Sequence, residues 1–135
     1  MRFGSGALTA GIVMLSLTPT LTAHHAVEDT YDLSKTVRLN GVISRVEWVN
    51  PHARMYVDVM RGDGTMMTWL IELGTPNTYR RSGFEMGVLT AGAQVVVDAW
   101  PARDGSQSGS IRAVTLSDGR TFSSGLPMWT RQSNR

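Results

Sequence analysis

The chain has 135 residues, with 13 Lys and Arg, 11 Asp and Glu, and a formal net charge of +2. This charge is small and its basic residues are scattered along the chain, which excludes the basic field that nucleic-acid binding needs. There is no cysteine, so neither a disulfide nor a thiolate metal site can form.

The first 23 residues have the order of a secretory signal peptide. Arg2 precedes the apolar stretch 7–17, which is too short to cross a bilayer as a helix, and the small residue Ala23 follows a polar segment. We therefore expect cleavage after Ala23, a periplasmic location and no membrane association of the mature protein. Residues 24–35 are polar and aperiodic, and they predict an extended N-terminal arm.

The remaining pattern predicts an all-β domain over residues 36–122 with one short helix. Apolar residues alternate in a long first strand, and their phase reverses at Asn40-Gly41, which predicts a bulge or bend there. Further strands are predicted at 53–60, 65–73, 94–100, 110–116 and 120–122. Trp69 and Val57 are predicted core residues, and residues 123–135 are expected to form a flexible tail.

The helix is predicted at residues 76–82. Thr75 is a good N-cap, Pro76 suits the first helical position, and Gly83 suits the end of the helix. Three strands, a helix and two strands follow the order of the five-stranded OB barrel, whose helix lies between the third and fourth strands. A different small β-sandwich or barrel is the alternative.

The three histidines, His24, His25 and His52, are the strongest candidates for chemistry. Imidazole suits copper, zinc and nickel. Cleavage after Ala23 would let His24 chelate a metal through its α-amine and ring, with His52 as a third ligand. If Ala23 were instead the first residue, His25 would be third and would complete a square-planar copper or nickel site. The alternative is that all three imidazoles remain solvated or bind their own turn.

A ligand rim is predicted around the turn between the first two strands. The OB loop there commonly borders the ligand face, and the candidate rim residues are Trp48, Asn50 and Trp100. Aromatic side chains in such a position can stack on a partner. Filling the barrel is the competing role, and for Trp69 it is the preferred one.

The sequence contains almost no residue pattern that is typical of a catalytic site. The chain has no phosphate loop, nucleophile elbow or His-Glu-x-x-His motif, and we expect it not to be an enzyme. The sharpest hypothesis is an exported binding module for Cu(II) or Zn(II), with a protein or a small ligand as partner. A metal-free accessory subunit is the alternative, and a hydrolase or lyase using His52 with Glu47 or Glu72 ranks third.

The chain resembles a family of small exported bacterial proteins of unknown function in several sequence blocks and in the order of those blocks. They are Ala23-His24-His25, Leu39-Asn40-Gly41-Val42, Trp48-Val49-Asn50-Pro51-His52, Trp69-Leu70-Ile71-Glu72, Pro76, Arg81-Ser82-Gly83 and Pro101-Ala102-Arg103-Asp104-Gly105. In that family a serine and an aromatic usually follow the histidine pair, whereas Ala26-Val27 stand here. The resemblance implies export and a small β-barrel, and it implies no activity.

Overall fold

The computed structural model describes residues 27–124 and 126–131. Seven strands, an α-helix, a short 3-10 helix at Met86–Val88 and a helical turn at residues 27–30 form in this part of the chain. In order they are β1 Val37–Glu47, β2 Arg54–Met60, β3 Met66–Glu72, α1 Pro76–Arg81, β4 Gln94–Pro101, β5 Ser108–Leu116, β6 Arg120–Ser123 and β7 Leu126–Arg131.

The first five strands close into a barrel. The sheet order is β3-β2-β1-β4-β5, and β3 also pairs with β5, so that the two edge strands of this order close the sheet. The β3–β5 pairing is parallel and the other barrel pairings are antiparallel. With α1 between β3 and β4, this is the OB-like arrangement, and the predicted fold class is confirmed.

Strand β1 is shared between two parts of the barrel. It pairs with β4 from Val37 to Val42 and with β2 from Val42 to Glu47. A Cβ on Gly41 would lie 2.7 Å from Val57 Cγ1 and closer still to the carbonyl oxygen of Asp58. Glycine is therefore required where β1 passes from one partner to the other.

The β-bulge lies at Ser44, three residues beyond Gly41, where a bulge or bend is predicted. The side chains of Leu39 and Ile43 in β1 are both buried, and the register with β2 shifts between Ile43 and Arg45. Ile43 is fully buried, whereas Val42 is 38% exposed. Two adjacent apolar residues made the inward phase ambiguous, and Gly41 has no side chain to mark a face.

The barrel interior is filled by aliphatic side chains from all five strands. Val57, Met55, Ile71, Val97 and Val114 are fully buried, so the core prediction for Val57 is confirmed. Trp69 stands opposite Val57 in register and packs against this core, but its side chain is only half-buried.

Helix α1 has the local signals that the sequence predicts. The Oγ1 of Thr75 accepts a 3.2 Å hydrogen bond from the Thr78 amide, and Pro76 begins the helix. The chain leaves the helix through Gly83, whose φ of +74° favours glycine. Tyr79, on the inner side of α1, is buried.

An aromatic cluster closes the barrel beneath α1. Tyr79, Phe84 and Phe122 lie with ring centroids 4.9–5.1 Å apart, and Trp48 contacts the edge of Tyr79 at 5.6 Å. Phe122 comes from β6, which continues the edge of β5 beyond its pairing with β3. The barrel therefore depends on a sixth strand for part of its core.

The tail expected over residues 123–135 is corrected in part. Residues 126–131 form β7, which pairs antiparallel with β6. Pro127 made this segment look irregular in sequence. A proline is tolerated here because β7 is the last strand of the described sheet, where one side of the strand has no partner.

Candidate functional site at His52

The turn between β1 and β2 is held to the end of β3 by backbone pairing. The amide of Ala53 donates to the Gly74 carbonyl at 3.1 Å, and the Leu73 amide donates to the Ala53 carbonyl at 2.8 Å. This ladder extends the β2–β3 pairing past the named strands, so that His52 arrives beside Glu72. The Asn50-Pro51 peptide bond within the turn is cis.

His52 and Glu72 form a short hydrogen bond. The distance from His52 Nδ1 to Glu72 Oε1 is 2.6 Å, with side chains that are 44% and 30% exposed. The hydroxyl of Tyr31 donates to the other oxygen, Oε2, at 3.0 Å. A single carboxylate thus joins a ring from the turn to a phenol from the N-terminal segment.

Tyr31 enters this site because the segment before β1 is docked on the barrel. Residues 27–30 form a helical turn, and Tyr31 bridges to Ala102 with its side chain buried. Arg103 donates from its amide to the Thr30 carbonyl at 3.0 Å and from Nε to the Glu28 carbonyl at 2.8 Å. The expectation of an extended arm is therefore wrong for residues 27–31, because the Ala102–Arg103 backbone offers them partners.

Burial raises the pKa of the Tyr31 phenol well above its ordinary value of 10, and the charge and hydrogen bond of Glu72 act in the same direction. Tyr31 consequently remains a hydrogen-bond donor at neutral pH. Glu72 can accept from Tyr31 on one oxygen and from His52 on the other.

A cavity of about 190 Å³ opens beside this chain of hydrogen bonds. Its apolar floor includes Tyr79, Trp100 and Phe122, and its polar rim includes His52 and Glu72. Val27, at the beginning of the described chain, lines the same cavity.

The other predicted site residues are divided between several places. Trp100 lines the cavity, and the guanidinium of Arg112 lies 5.6 Å from its ring centre. Trp48 is half-buried and packs on the aromatic cluster, which makes it mainly a core residue, and Asn50 is exposed in the turn. His24 and His25 lie outside the described residues.

Glu47 is separate from His52. Its carboxylate lies 3.1 Å from Arg45 Nε and 3.8 Å from Arg54 Nη1, on the outer face of β1 and β2. Of the two acidic partners considered for His52 in the hydrolase hypothesis, only Glu72 contacts it. Within residues 27–124 and 126–131, no group of three His, Asp or Glu side chains could hold a metal ion by itself.

Sequence reasoning missed Tyr31 altogether. A tyrosine in an otherwise polar segment was the available signal, because an aromatic ring seldom stays in solvent when a core lies nearby. The sequence indicates Glu72 only as one of two alternative acidic partners of His52, the other being Glu47. The position of Glu72 at the last rung of β3, opposite Arg54 and next to the His52 turn, becomes visible only once the register is known.

The fold and this site define a small β-barrel protein with a docked N-terminal segment beside a histidine–carboxylate pair. The family of unknown function DUF6152 matches residues 12–112, and the chain belongs to that family. The match includes the histidine pair and the site around His52. No curated protein and no solved structure matches the chain. In the part of the chain that the structure describes, no helix is long and apolar enough to span a membrane.

Proposed function

We propose that this protein is an exported, non-enzymatic binding module that holds one Cu(II) ion, or Zn(II) in its place, through His52 and the N-terminal histidines His24 and His25. The observation that carries the proposal is the 2.6 Å hydrogen bond between His52 Nδ1 and Glu72 Oε1. Metal-binding histidines almost always use their other ring nitrogen to bind a carboxylate, a carbonyl or water.

The tautomer of His52 follows from its partner. Glu72 is a hydrogen-bond acceptor, so the neutral ring donates from Nδ1 and keeps the lone pair on Nε2. Nε2 is then the atom available to a metal ion. The carboxylate also fixes the orientation of the ring, and the hydrogen bond from Tyr31 fixes the carboxylate in turn.

The N-terminal histidines are close enough along the chain to reach the same place. Val27 lines the cavity that His52 borders, and His25 and His24 precede it by two and three residues. A chain spans at most about 3.6 Å per residue, so His24 can stand no more than about 11 Å along the backbone from Val27. This length permits an imidazole from the N-terminus to meet His52.

The coordination chemistry favours Cu(II). Cleavage after Ala23 would give His24 a free amine, which with its own imidazole and His52 Nε2 makes three nitrogen ligands. His25 is the substitute if the amine of His24 does not bind. Borderline nitrogen donors without thiolate suit Cu(II), followed by Zn(II).

The test uses protein purified from the periplasm, whose first residue is established by N-terminal sequencing and should be His24. Calorimetric titration should then give one Cu(II) per chain, with nitrogen ligands in the copper EPR spectrum. Affinity should rise with pH as the N-terminal amine loses its proton, near pH ~7.7–8.0. An intact Met1 or a first residue beyond His25 would contradict the proposal.

The decisive comparison is between Glu72→Gln and Glu47→Gln. Glu72→Gln removes the charge that supports His52 and should weaken Cu(II) binding by about 10–100-fold. Glu47→Gln removes an equal charge from a carboxylate that pairs with arginines and should leave the affinity unchanged. His52→Ala and one residue added before His24 should each weaken binding. If those two proteins bind copper like the parent, the histidines do not form the site.

A metal-free accessory subunit is the second candidate, and a groove on the opposite part of the barrel favours it. The groove has a volume of about 390 Å³ and lies across β1, β4 and β5, where Val42, Val96 and Leu116 contribute apolar surface. None of the His52 site residues lines it. Copper titrations that give no stoichiometric binding, in protein that begins at His24, would favour this function.

A further inference from the structure

The far end of the β2–β3 hairpin carries two exposed methionines that the proposed function does not use. Met60 and Met66 are the last residues of the pairing before the turn and stand directly opposite each other in register. Their side chains are 68% and 58% exposed, the highest values among the exposed large hydrophobic residues of the described chain. Directly opposed residues on an antiparallel pair have Cβ atoms about 4.5–5.5 Å apart.

This placement brings two thioether sulfurs to one solvent-exposed face. The chain has no cysteine, so methionine is its only soft donor. Thioethers select Cu(I) over the divalent metals that imidazole and carboxylate prefer. The neighbouring rung on the same face carries Asp58, whose carboxylate accepts a 2.6 Å hydrogen bond from Thr68 and adds negative charge beside the pair.

A third sulfur lies close to the turn but has another partner. Met67 belongs to the alternate face of β3, and its Sδ lies 3.3 Å from Nη2 of Arg61. The hydrogen bond occupies that sulfur and holds the cationic side chain of Arg61 towards Met67. The pair formed by Met60 and Met66 therefore stands by itself as the soft donor set.

We infer that Met60 and Met66 form a surface site for a soft monovalent metal ion, Cu(I) or its redox-inert analogue Ag(I). Each ion is held by the two thioether sulfurs, and water completes its coordination. The inference does not depend on the His52 site, because the two sites are at opposite ends of β2 and β3 and share no residue.

The test is a titration of the exported protein with silver nitrate in chloride-free buffer, followed through the methyl signals of ¹³C-methionine by NMR. The methyl signals of Met60 and Met66 should shift together and saturate at one Ag(I). The signal of Met55, which is fully buried, should not move. Signals of Met60 and Met66 that stay in place, or that never saturate, would overturn the inference.

The matched variant is Met60→Leu with Met66→Leu, which keeps two apolar side chains on the hairpin and removes only the sulfur. It should bind Cu(I) at least tenfold more weakly than the parent in a competition with a colorimetric Cu(I) chelator. His52→Ala should retain the shifts at Met60 and Met66, so failure of the histidine site and failure of this site give different results. A double leucine variant that competes like the parent would contradict the assignment.

Discussion

The two ends of the β2–β3 pair present opposite kinds of surface. At the end where Arg54 faces Glu72, a hydrogen-bonded chain of His52, Glu72 and Tyr31 lies over an aromatic floor. At the end where Met60 faces Met66, two apolar side chains project into solvent beside a tight turn. The same two strands thus carry a polar site that lies over the aromatic core and a largely exposed apolar pair.

The two ends also differ in which other elements of the barrel hold their side chains in place. The His52 end is tied to α1, β5, β6 and the docked N-terminal segment, so its side chains are positioned by long-range contacts. At the methionine end, Met60 and Met66 pair across the hairpin and are largely exposed. We therefore expect substitutions at the first end to change stability and site geometry together, and substitutions at the second end to change local chemistry alone.

The largest effect is expected at the floor of the His52 cavity. Phe122 is 1% exposed and contacts both Tyr79 and Phe84. Phe122→Ala should lower the free energy of unfolding by about 3–5 kcal/mol, measured by urea denaturation followed by tryptophan fluorescence. Met60→Ala, at the exposed end, is the control and should change it by less than about 0.5 kcal/mol. A loss below 1 kcal/mol for Phe122→Ala would show that β6 is not part of the barrel core.

The next effect concerns Gly41, where β1 passes across β2. A methyl group there would meet the Asp58 carbonyl and Val57, and the backbone oxygen cannot move aside cheaply. Gly41→Ala should cost about 1–3 kcal/mol. Gly62, in the turn beside the methionines, has open space around its Cβ position, so Gly62→Ala should be close to neutral. Equal stability of both variants would show that the close approach at Gly41 is not needed.

The elements of the barrel could be predicted because their signals are local. The alternation in β2 and β4 and the capping residues around α1 lie within a few neighbours along the chain, and the bounds found differ from the predicted ones by one or two residues. The position of α1 between β3 and β4 then restricts the topology. Strand β7 was missed because Pro127 argues against a strand unless the edge position is known.

The site could be predicted only in part, since its contacts are distant in sequence. Tyr31 and Glu72 are 41 residues apart, and His52 and Glu72 are 20 apart. No pattern within a strand indicates which carboxylate will face a given histidine. His52 itself can be chosen because it lies in the first loop of an OB-like order, and Glu47 is an equal candidate until the register pairs it with Arg54.

A smaller effect is expected at the Tyr31 hydroxyl. Tyr31→Phe removes one hydrogen bond to the Glu72 carboxylate while the ring remains available to fill its buried place. The loss in unfolding free energy should be about 1 kcal/mol, and Cu(II) affinity should fall less than with Glu72→Gln because the His52 contact remains. An affinity loss as large as that of Glu72→Gln would mean that Tyr31 controls the orientation of the carboxylate.

The difference in stability between the parent protein and Tyr31→Phe should depend on pH in a definite direction. Because the pKa of Tyr31 is raised above its ordinary value of 10 by burial and by Glu72, the stabilisation from its protonated form is complete below pH 10. It is lost as the pH rises through the pKa of the folded state. The difference in urea midpoint between the parent and Tyr31→Phe should therefore be constant from pH 7 to 9 and shrink above pH 10. A difference that shrinks below pH 9 would contradict the raised pKa.

The smallest effect is expected at the methionine end, where we expect substitution to leave the stability unchanged. Met60→Leu with Met66→Leu keeps the cross-strand apolar contact and nearly conserves side-chain volume. Because both side chains are mostly in solvent, the unfolding free energy should change by less than about 0.5 kcal/mol. The thermal midpoint of the metal-free protein checks this directly. A loss above 1 kcal/mol would mean that the two methionines hold the hairpin together, and the sharp contrast between the two ends of β2–β3 would disappear.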